Sequence, residues 1–129
     1  MRIEVYFQQI QQLLNDCPVA RSFDVAYDKR STYEGFVRGE IHLVDGSILH
    51  LREFVDVETT IDRLTYIYQY MGPNQQLVFR YDNTGHHKKL NLPTYPHHKH
   101  DGSETNVVAS VGPELATVLV EVESLVTFV

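Results

Sequence analysis

Apolar and polar residues alternate with a period of two through the middle of the chain, in residues 23–27, 33–44, 47–55, 59–71 and 76–81. Successive side chains of a β-strand point to opposite faces of a sheet, so this period is typical of strands with one buried face. Turn residues separate several of the runs, notably Asp45-Gly46 and Gly72-Pro73-Asn74. The pattern predicts about five strands in an antiparallel meander.

Helical periodicity flanks these strands. Near the N-terminus the apolar residues with this spacing are Ile3, Tyr6, Phe7, Ile10, Leu13 and Leu14, and near the C-terminus they are Leu115, Val118, Leu119, Val122, Leu125 and Val126. Pro18 predicts that the first helix covers about Ile3–Asn15, and Pro113 suits the start of the second. Strands between two amphipathic helices indicate an α+β fold. We expect a single domain over residues 1–129, with both helices on one face of the sheet.

Composition narrows the class of protein. The only cysteine is Cys17, which excludes a disulfide framework and a cysteine-type zinc site. No segment approaches the ~18 apolar residues of a membrane helix, and the N-terminal residues lack the apolar core of a signal peptide. We therefore expect a cytoplasmic protein that does not enter the membrane. The formal net charge of −6 argues against a general nucleic-acid coat protein.

The loop length at Asp45-Gly46 decides which side chains share a face of the sheet. A two-residue turn mixes apolar and polar side chains, whereas a three-residue loop gathers Val37, Ile41, Leu43, Leu49, Leu51 and Val55 on one face. The second register is better segregated, and it also places Glu53 on the apolar face. A carboxylate there is costly unless it is paired or protonated, and such carboxylates concentrate at functional sites. The alternative interpretation is an edge position where Glu53 contacts water.

Residues 80–100 contain most of the candidate chemistry. Five of the seven histidines fall in this segment, namely His86, His87, His97, His98 and His100. Arg80 and Asp82 share one strand face by alternation and can form an ion pair. The segment that follows, to about Asn106, is longer than a hairpin needs and is therefore interpreted as a functional loop. We expect one histidine of the first pair to lie within about 8 Å of one in the later group.

Three interpretations of these histidines remain open. In the first, two imidazoles exchange protons as general base and general acid, and Arg80 and Lys99 offer positive charge to a phosphate. Glu53 or Asp82 then orients one imidazole, as in a small metal-independent ribonuclease. In the second, the histidines bind zinc or another transition metal with one of these carboxylates, although no spacing matches an established metal motif. In the third, the histidines are ordinary turn and surface residues.

The histidines also belong to a wider pattern of segments. These segments are Asp45-Gly46-Ser47, Glu53, Tyr66-Ile67-Tyr68, Leu77-Val78-Phe79-Arg80-Tyr81-Asp82-Asn83, His86-His87, Pro96-His97-His98-Lys99-His100, and the helix with Pro113, Leu115 and Leu119. Together they resemble the TumE family of toxins from bacterial and archaeal toxin-antitoxin systems. The resemblance implies a helix-turn-helix antitoxin as partner. This sequence departs from the family pattern at two places. Family members often have proline at the position of Gly85, and the basic pair Lys88-Lys89 is not part of the pattern.

The residues and the resemblance together predict a toxin that acts on RNA as a small metal-independent ribonuclease without a cofactor. His87 and His98 are the best candidates for the indispensable histidines. The alternative is a non-catalytic module that binds a protein or a metal through the same histidine-rich patch. A neighbouring gene for a small helix-turn-helix protein favours the toxin, and an isolated gene favours the module.

Overall fold

The computed structural model of the chain describes residues 1–127, without the side chains of His86 and Lys88. The elements in chain order are α1 (Ile3–Asn15), β1 (Ala20–Lys29), β2 (Glu34–Leu43), β3 (Ile48–Asp56), β4 (Asp62–Met71), β5 (Leu77–Asp82), a 3₁₀ helix (Gly85–Leu90), β6 (His98–Asp101), β7 (Val107–Ala109) and α2 (Leu115–Leu125). The predicted α+β class is confirmed, and α1 covers the predicted residues.

The strands form one antiparallel sheet whose spatial order follows the chain, from β1 to β7. The meander is therefore confirmed, but the described residues form seven strands and not about five. The additional strands, β6 and β7, lie within and just after the segment interpreted as a loop. The residues of β6, His-Lys-His-Asp, contain no apolar side chain that would reveal an alternation. Pairing with β5 and β7 on either side gives this segment its strand conformation.

The β2–β3 hairpin has the expected three-residue loop. The Leu43 amide donates to the Ser47 carbonyl at 2.9 Å, which leaves residues 44–46 between them. Gly46 has φ +87°, a conformation that glycine adopts without the steric cost of a Cβ. The resulting register pairs Val37 with Glu53. The prediction that Glu53 lies on the apolar face is confirmed, and the edge interpretation is wrong because the residue is 0% exposed.

The sheet has two chemically different faces, because side chains alternate along each strand. The buried face contains Val37, Ile41, Leu43, Leu49, Leu51, Glu53, Val55, Tyr66, Tyr68, Tyr70, Phe79 and Tyr81. The apolar members of this face form one hydrophobic cluster with side chains of both helices. The opposite face, here called the polar face, contains Arg38, Arg52, Ile67, Arg80, Asp82, His98 and His100.

Each helix also makes a polar contact with the buried face. Tyr6 of α1 donates a hydrogen bond to Glu53, and Tyr81 donates one to Glu121 of α2 at 2.7 Å. The helices span 13 and 11 residues. In the part of the chain that the structure describes, no helix combines the length and the apolar character needed to cross a membrane.

Candidate functional site

The candidate site lies on the polar face, where β5 and β6 pair. Asp82 is opposite His98, and Arg80 is opposite His100. Opposite side chains of an antiparallel pair have Cβ atoms about 4.5–5.5 Å apart, so this register brings the four side chains together. The 3₁₀ helix adds His87, whose ring packs against both strand histidines. The predicted convergence of the two histidine groups is thus confirmed.

His87, His98 and His100 form a compact triangle, here called the histidine cluster. Their ring centroids are 4.8, 5.2 and 5.1 Å apart, and each pair of rings is arranged edge to face. The two strand histidines are each 2% exposed, and His87 is half-buried. One nitrogen atom from each ring lies within 4.8 Å of those from the other two. The cluster therefore gathers three imidazole nitrogens in a site largely shielded from water.

Asp82 is the carboxylate of this site and is 3% exposed. Its Oδ1 lies 2.8 Å from His98 Nε2 and accepts hydrogen bonds from the backbone amide and hydroxyl of Thr84, at 3.0 and 2.9 Å. Its Oδ2 accepts from Arg80 Nε at 3.2 Å and lies 3.8 Å from His100 Nε2. The hydrogen bonds from Thr84 and Arg80 offset the cost of burying the charge and fix both oxygens beside the cluster.

Arg80 is engaged by the protein on every side. Its two terminal nitrogens donate to the carboxylate oxygens of Glu104 at 2.7 Å each. One of them also donates to Gln69 Oε1 at 3.2 Å, and the other lies 3.1 Å from His100 Nε2. With the bond to Asp82, these contacts occupy all five N–H donors of a guanidinium. The expected contact of Arg80 with a phosphate would therefore displace an existing partner, and its present role is to position Asp82.

The strand histidines are anchored through Nδ1. His98 Nδ1 lies 3.0 Å from the Pro96 carbonyl oxygen, and His100 Nδ1 lies 2.8 Å from that of Glu104. A carbonyl oxygen only accepts hydrogen bonds, so each Nδ1 donates its hydrogen there. In a neutral imidazole the other nitrogen is then a lone-pair atom, and in both rings this Nε2 faces Asp82.

Glu53, the other carboxylate considered for orienting an imidazole, lies in a different network on the buried face. Tyr6 and Tyr68 both donate hydroxyl hydrogen bonds to its carboxylate, the second at 2.5 Å. Burial raises the pKa of both tyrosines, and the nearby Glu53 charge raises each pKa further. Of the two candidate carboxylates, Asp82 is therefore the one that contacts the cluster.

His97 is also separated from the cluster. Its Nδ1 lies 2.8 Å from the hydroxyl of Tyr66, a residue of the buried face. Arg63 stacks over the Tyr66 ring at 4.2 Å and donates to the carbonyls of Gly112 and Pro113. Burial raises the pKa of Tyr66 to about 12, although the Arg63 charge acts in the opposite direction. Burial also lowers the pKa of His97, and the charge of Arg63 adds to this effect.

Lys99 lies between the two strand histidines in sequence, but its side chain is on the buried-face side of β6. Its ammonium nitrogen lies 5.1 Å from the centre of the Tyr81 ring and 3.6 Å from Glu121 Oε2. Lys99 therefore lies on the other side of the sheet from the histidine cluster, and its contact with a phosphate stays a prediction. The side chain of His86, another predicted site residue, lies outside the described part of the chain.

The sequence did not single out Glu104 or Arg63 as site residues. Glu104 follows β6 in a polar turn, and nothing in its local sequence distinguishes it from a solvent-exposed acid. Arg63 stands near the start of β4, and its contacts come from residues 49 and 50 positions later in the chain. Only the tertiary pairing brings these groups to their partners.

Comparison with known proteins gives one match. The family model described as Toxin TumE matches residues 10–126. No curated protein and no solved structure matches the chain. The family match includes Asp82, all three members of the histidine cluster, and Glu53 with Tyr68. Because it covers most of the sequence, the chain belongs to the TumE family and is a toxin of a toxin-antitoxin system, with an antitoxin as its partner.

Proposed function

We propose that this toxin acts on RNA and breaks phosphodiester bonds at the histidine cluster and Asp82. The observation that carries the proposal is a single row of side chains across the polar face. In this row Arg38, Arg52, Ile67, Asp82 and His98 stand opposite one another on five neighbouring strands. Strands are about 4.8 Å apart, which puts Arg52 about 10 Å and Arg38 about 14 Å from Asp82 along the row.

The two arginines of this row supply positive charge that the protein leaves unneutralised. Arg38 is directly opposite Arg52, and like charges in that position are destabilising. Among the residues that the structure describes, neither side chain forms an ion pair or a hydrogen bond. Both line a depression of about 590 Å³ whose other wall includes Asp24 and Glu40. An exposed pair of cations of this kind is suited to a polyanion such as the RNA backbone.

An aromatic pair lies beside the arginines. Phe36 and Phe54 stack with their ring centroids 4.4 Å apart, and the Arg30 guanidinium lies 5.0 Å from the centre of the Phe36 ring. Both rings are half-buried. Aromatic rings and arginine planes next to a basic groove are the usual means of holding unpaired bases. The polar face therefore offers contacts for both parts of a single-stranded RNA, its phosphates and its bases.

Two chemistries are compatible with cleavage at the cluster. In the first, which needs no metal, His87 and His98 exchange protons with the attacking and leaving oxygens. In the second, the same imidazoles would hold a metal ion, which would supply Lewis acidity to a phosphate oxygen. The Nδ1 anchoring of the strand histidines favours the second, because it directs the Nε2 lone pairs towards Asp82.

The high burial of the cluster also supports a second candidate function. His98 and His100 are each 2% exposed, as expected for residues that hold a structure together. A non-catalytic module would use the polar face only to bind a partner protein. We further propose that the antitoxin carries a helix-turn-helix domain, as the family resemblance implies, and that the toxin acts in the cytoplasm, where RNA is present.

The decisive experiment compares purified variants on total RNA. We expect His98→Ala to reduce the cleavage rate by about 10²-fold or more, since a group that takes part in the chemistry typically contributes this much. The Arg38→Ala/Arg52→Ala double variant should need more RNA to reach half-maximal rate, with a weaker dependence on salt than the wild type. The matched control is His42→Ala, which replaces a partly exposed histidine of β2 and should leave the rate unchanged.

Circular dichroism and binding to the antitoxin confirm that each variant is folded. A folded His98→Ala protein that cleaves RNA at the wild-type rate would place the chemistry elsewhere. Wild-type protein that inhibits growth and cleaves no RNA would leave the binding module as the function.

A further inference from the structure

The imidazole nitrogens of the histidine cluster and the carboxylate oxygens of Asp82 lie close together, and too few N–H groups lie between them to form hydrogen bonds. His98 Nε2 is buried and makes no hydrogen bond to any described residue. It nevertheless lies 2.8 Å from Asp82 Oδ1, so this is a close approach without hydrogen-bond geometry. A buried nitrogen without a partner is unfavourable, and a lone pair beside a carboxylate oxygen adds repulsion. A cation placed between the two atoms removes both penalties.

The hydrogen bonds that anchor the rings of His98 and His100 also indicate a cation at this position. Both strand histidines donate Nδ1–H to a backbone carbonyl, of Pro96 for His98 and of Glu104 for His100. This arrangement fixes the tautomer and directs the Nε2 lone pair inward, and it accompanies nearly all histidines that bind metals in proteins. Two successive histidines of one strand face share it here, and the half-buried His87 lies against both.

We propose that the cluster is a transition-metal site, in which His87, His98 and His100 each provide one nitrogen ligand and Asp82 provides one oxygen ligand. Imidazole nitrogens with a carboxylate oxygen suit zinc and its neighbours in the first transition row, whereas magnesium and calcium prefer all-oxygen sites. This proposal stands on the geometry of the cluster and does not rest on RNA cleavage.

The cluster needs only a small contraction to hold zinc. Zinc binds imidazole nitrogen at about 2.0–2.1 Å, so tetrahedral ligand atoms are about 3.4 Å apart. The corresponding nitrogens here lie within 4.8 Å of one another. His87 lies in the 3₁₀ helix beside the sheet, so a shift of this one residue would bring its nitrogen closer to those of the two strand histidines. Arg80 would give up its contact with His100 Nε2 and keep its bonds to Glu104 and Asp82.

The charges around the cluster also suit a divalent cation. Asp82 and Glu104 contribute two negative charges, and Arg80 contributes one positive charge. An ion at this position would lie at the end of the arginine row, where it could polarise a phosphate oxygen of an RNA bound along the row. The site would thus supply the electrophile that Arg80 cannot supply while its donors are occupied.

The experiment measures metal binding directly. Chelator-treated wild-type protein is titrated with zinc by calorimetry and with cobalt by its visible absorption. We expect one ion per chain, with a dissociation constant for zinc below about 1 µM. Zinc at a hundredfold excess over this constant should raise the melting temperature by about 5–10 °C, and magnesium should not change it.

Two double variants separate this site from adventitious binding. The His98→Gln/His100→Gln variant should lose tight zinc binding and the cobalt absorption bands. The control is His42→Ala/His50→Ala, because these partly exposed histidines flank Glu40 at 3.1 and 3.5 Å and offer ligand atoms to a stray ion. This control variant should bind zinc as tightly as the wild type.

Wild-type protein that binds zinc only weakly, or a folded His98→Gln/His100→Gln variant that binds as tightly as the wild type, would overturn the site. RNA assays on the same samples keep the two proposals apart. Tight zinc binding without RNA cleavage supports the metal site and removes the proposed function. RNA cleavage by protein shown to be zinc-free overturns the catalytic use of the ion and supports proton transfer.

Discussion

Two buried carboxylates, Glu53 and Asp82, have surroundings that give them different roles. Glu53 lies on the buried face of the sheet, beside α1, and accepts hydrogen bonds from the neutral hydroxyls of Tyr6 and Tyr68. Asp82 is surrounded by a guanidinium and imidazoles. A carboxylate fully satisfied by hydroxyl donors is suited to stabilise the fold, whereas one that faces unprotonated nitrogens is suited to bind a cation or a proton.

Substitution of Glu53 tests the first of these roles. In Glu53→Gln one carboxylate oxygen becomes an amide group that donates hydrogen bonds, so one tyrosine hydroxyl loses its acceptor in a site without water. We expect the free energy of unfolding to fall by about 1–3 kcal/mol in urea denaturation. The matched control Glu58→Gln replaces an exposed glutamate and should change stability by less than about 0.5 kcal/mol. Equal stability of the two variants would show that the tyrosine contacts contribute nothing to folding.

The β2–β3 hairpin and the short strand β6 owe their conformations to different causes. The β2–β3 hairpin is specified locally, because a glycine at the position of positive φ and the segregation of apolar residues agree on one register. In contrast, β6 has only polar residues and becomes a strand because β5 and β7 pair with it. The first kind of element is readable from sequence, and the second kind is not.

Substitution of Gly46 tests whether the positive φ of this residue stabilises the β2–β3 hairpin. A Cβ added at Gly46 would meet only the Pro73 Cβ, at 3.8 Å, so the limit on substitution is the backbone angle and not space. Gly46→Ala should therefore cost about 1–2 kcal/mol of unfolding free energy. Gly46→Asn should cost less, because asparagine tolerates the left-handed conformation better. Urea denaturation of both variants measures the difference, and an alanine variant as stable as the asparagine variant would contradict this explanation.

The whole molecule combines two separate polar networks on opposite faces of one sheet, and His97, which contacts the network on the buried face, links stability to pH. Burial keeps the pKa of His97 below its ordinary value, so the folded protein favours the neutral ring. In the unfolded chain a histidine takes up a proton as the pH falls through about 6.5. The unfolded state then binds more protons than the folded state, and stability falls as the pH decreases from 7 towards 5.

This linkage predicts the behaviour of a single variant. His97→Gln removes the titrating ring and leaves an amide beside Tyr66. The loss of stability between pH 7 and pH 5 should be smaller in this variant than in the wild type, as measured by urea denaturation at each pH. A wild-type slope in His97→Gln would assign the acid sensitivity to other groups.

The sequence by itself determined the α+β class, the first helix, the meander, the register of the β2–β3 hairpin and the face of the sheet on which Glu53 lies. These features depend on local periodicity and on one loop length, which are properties of neighbouring residues. It also located the segment that contains the site. Only the tertiary structure decided which residues of that segment meet. Adjacent side chains of a strand point to opposite faces, so the strand conformation of β6 sends His98 and His100 to Asp82, and Lys99 to the other side. That conformation comes from pairing with strands distant in sequence, which a local pattern cannot encode.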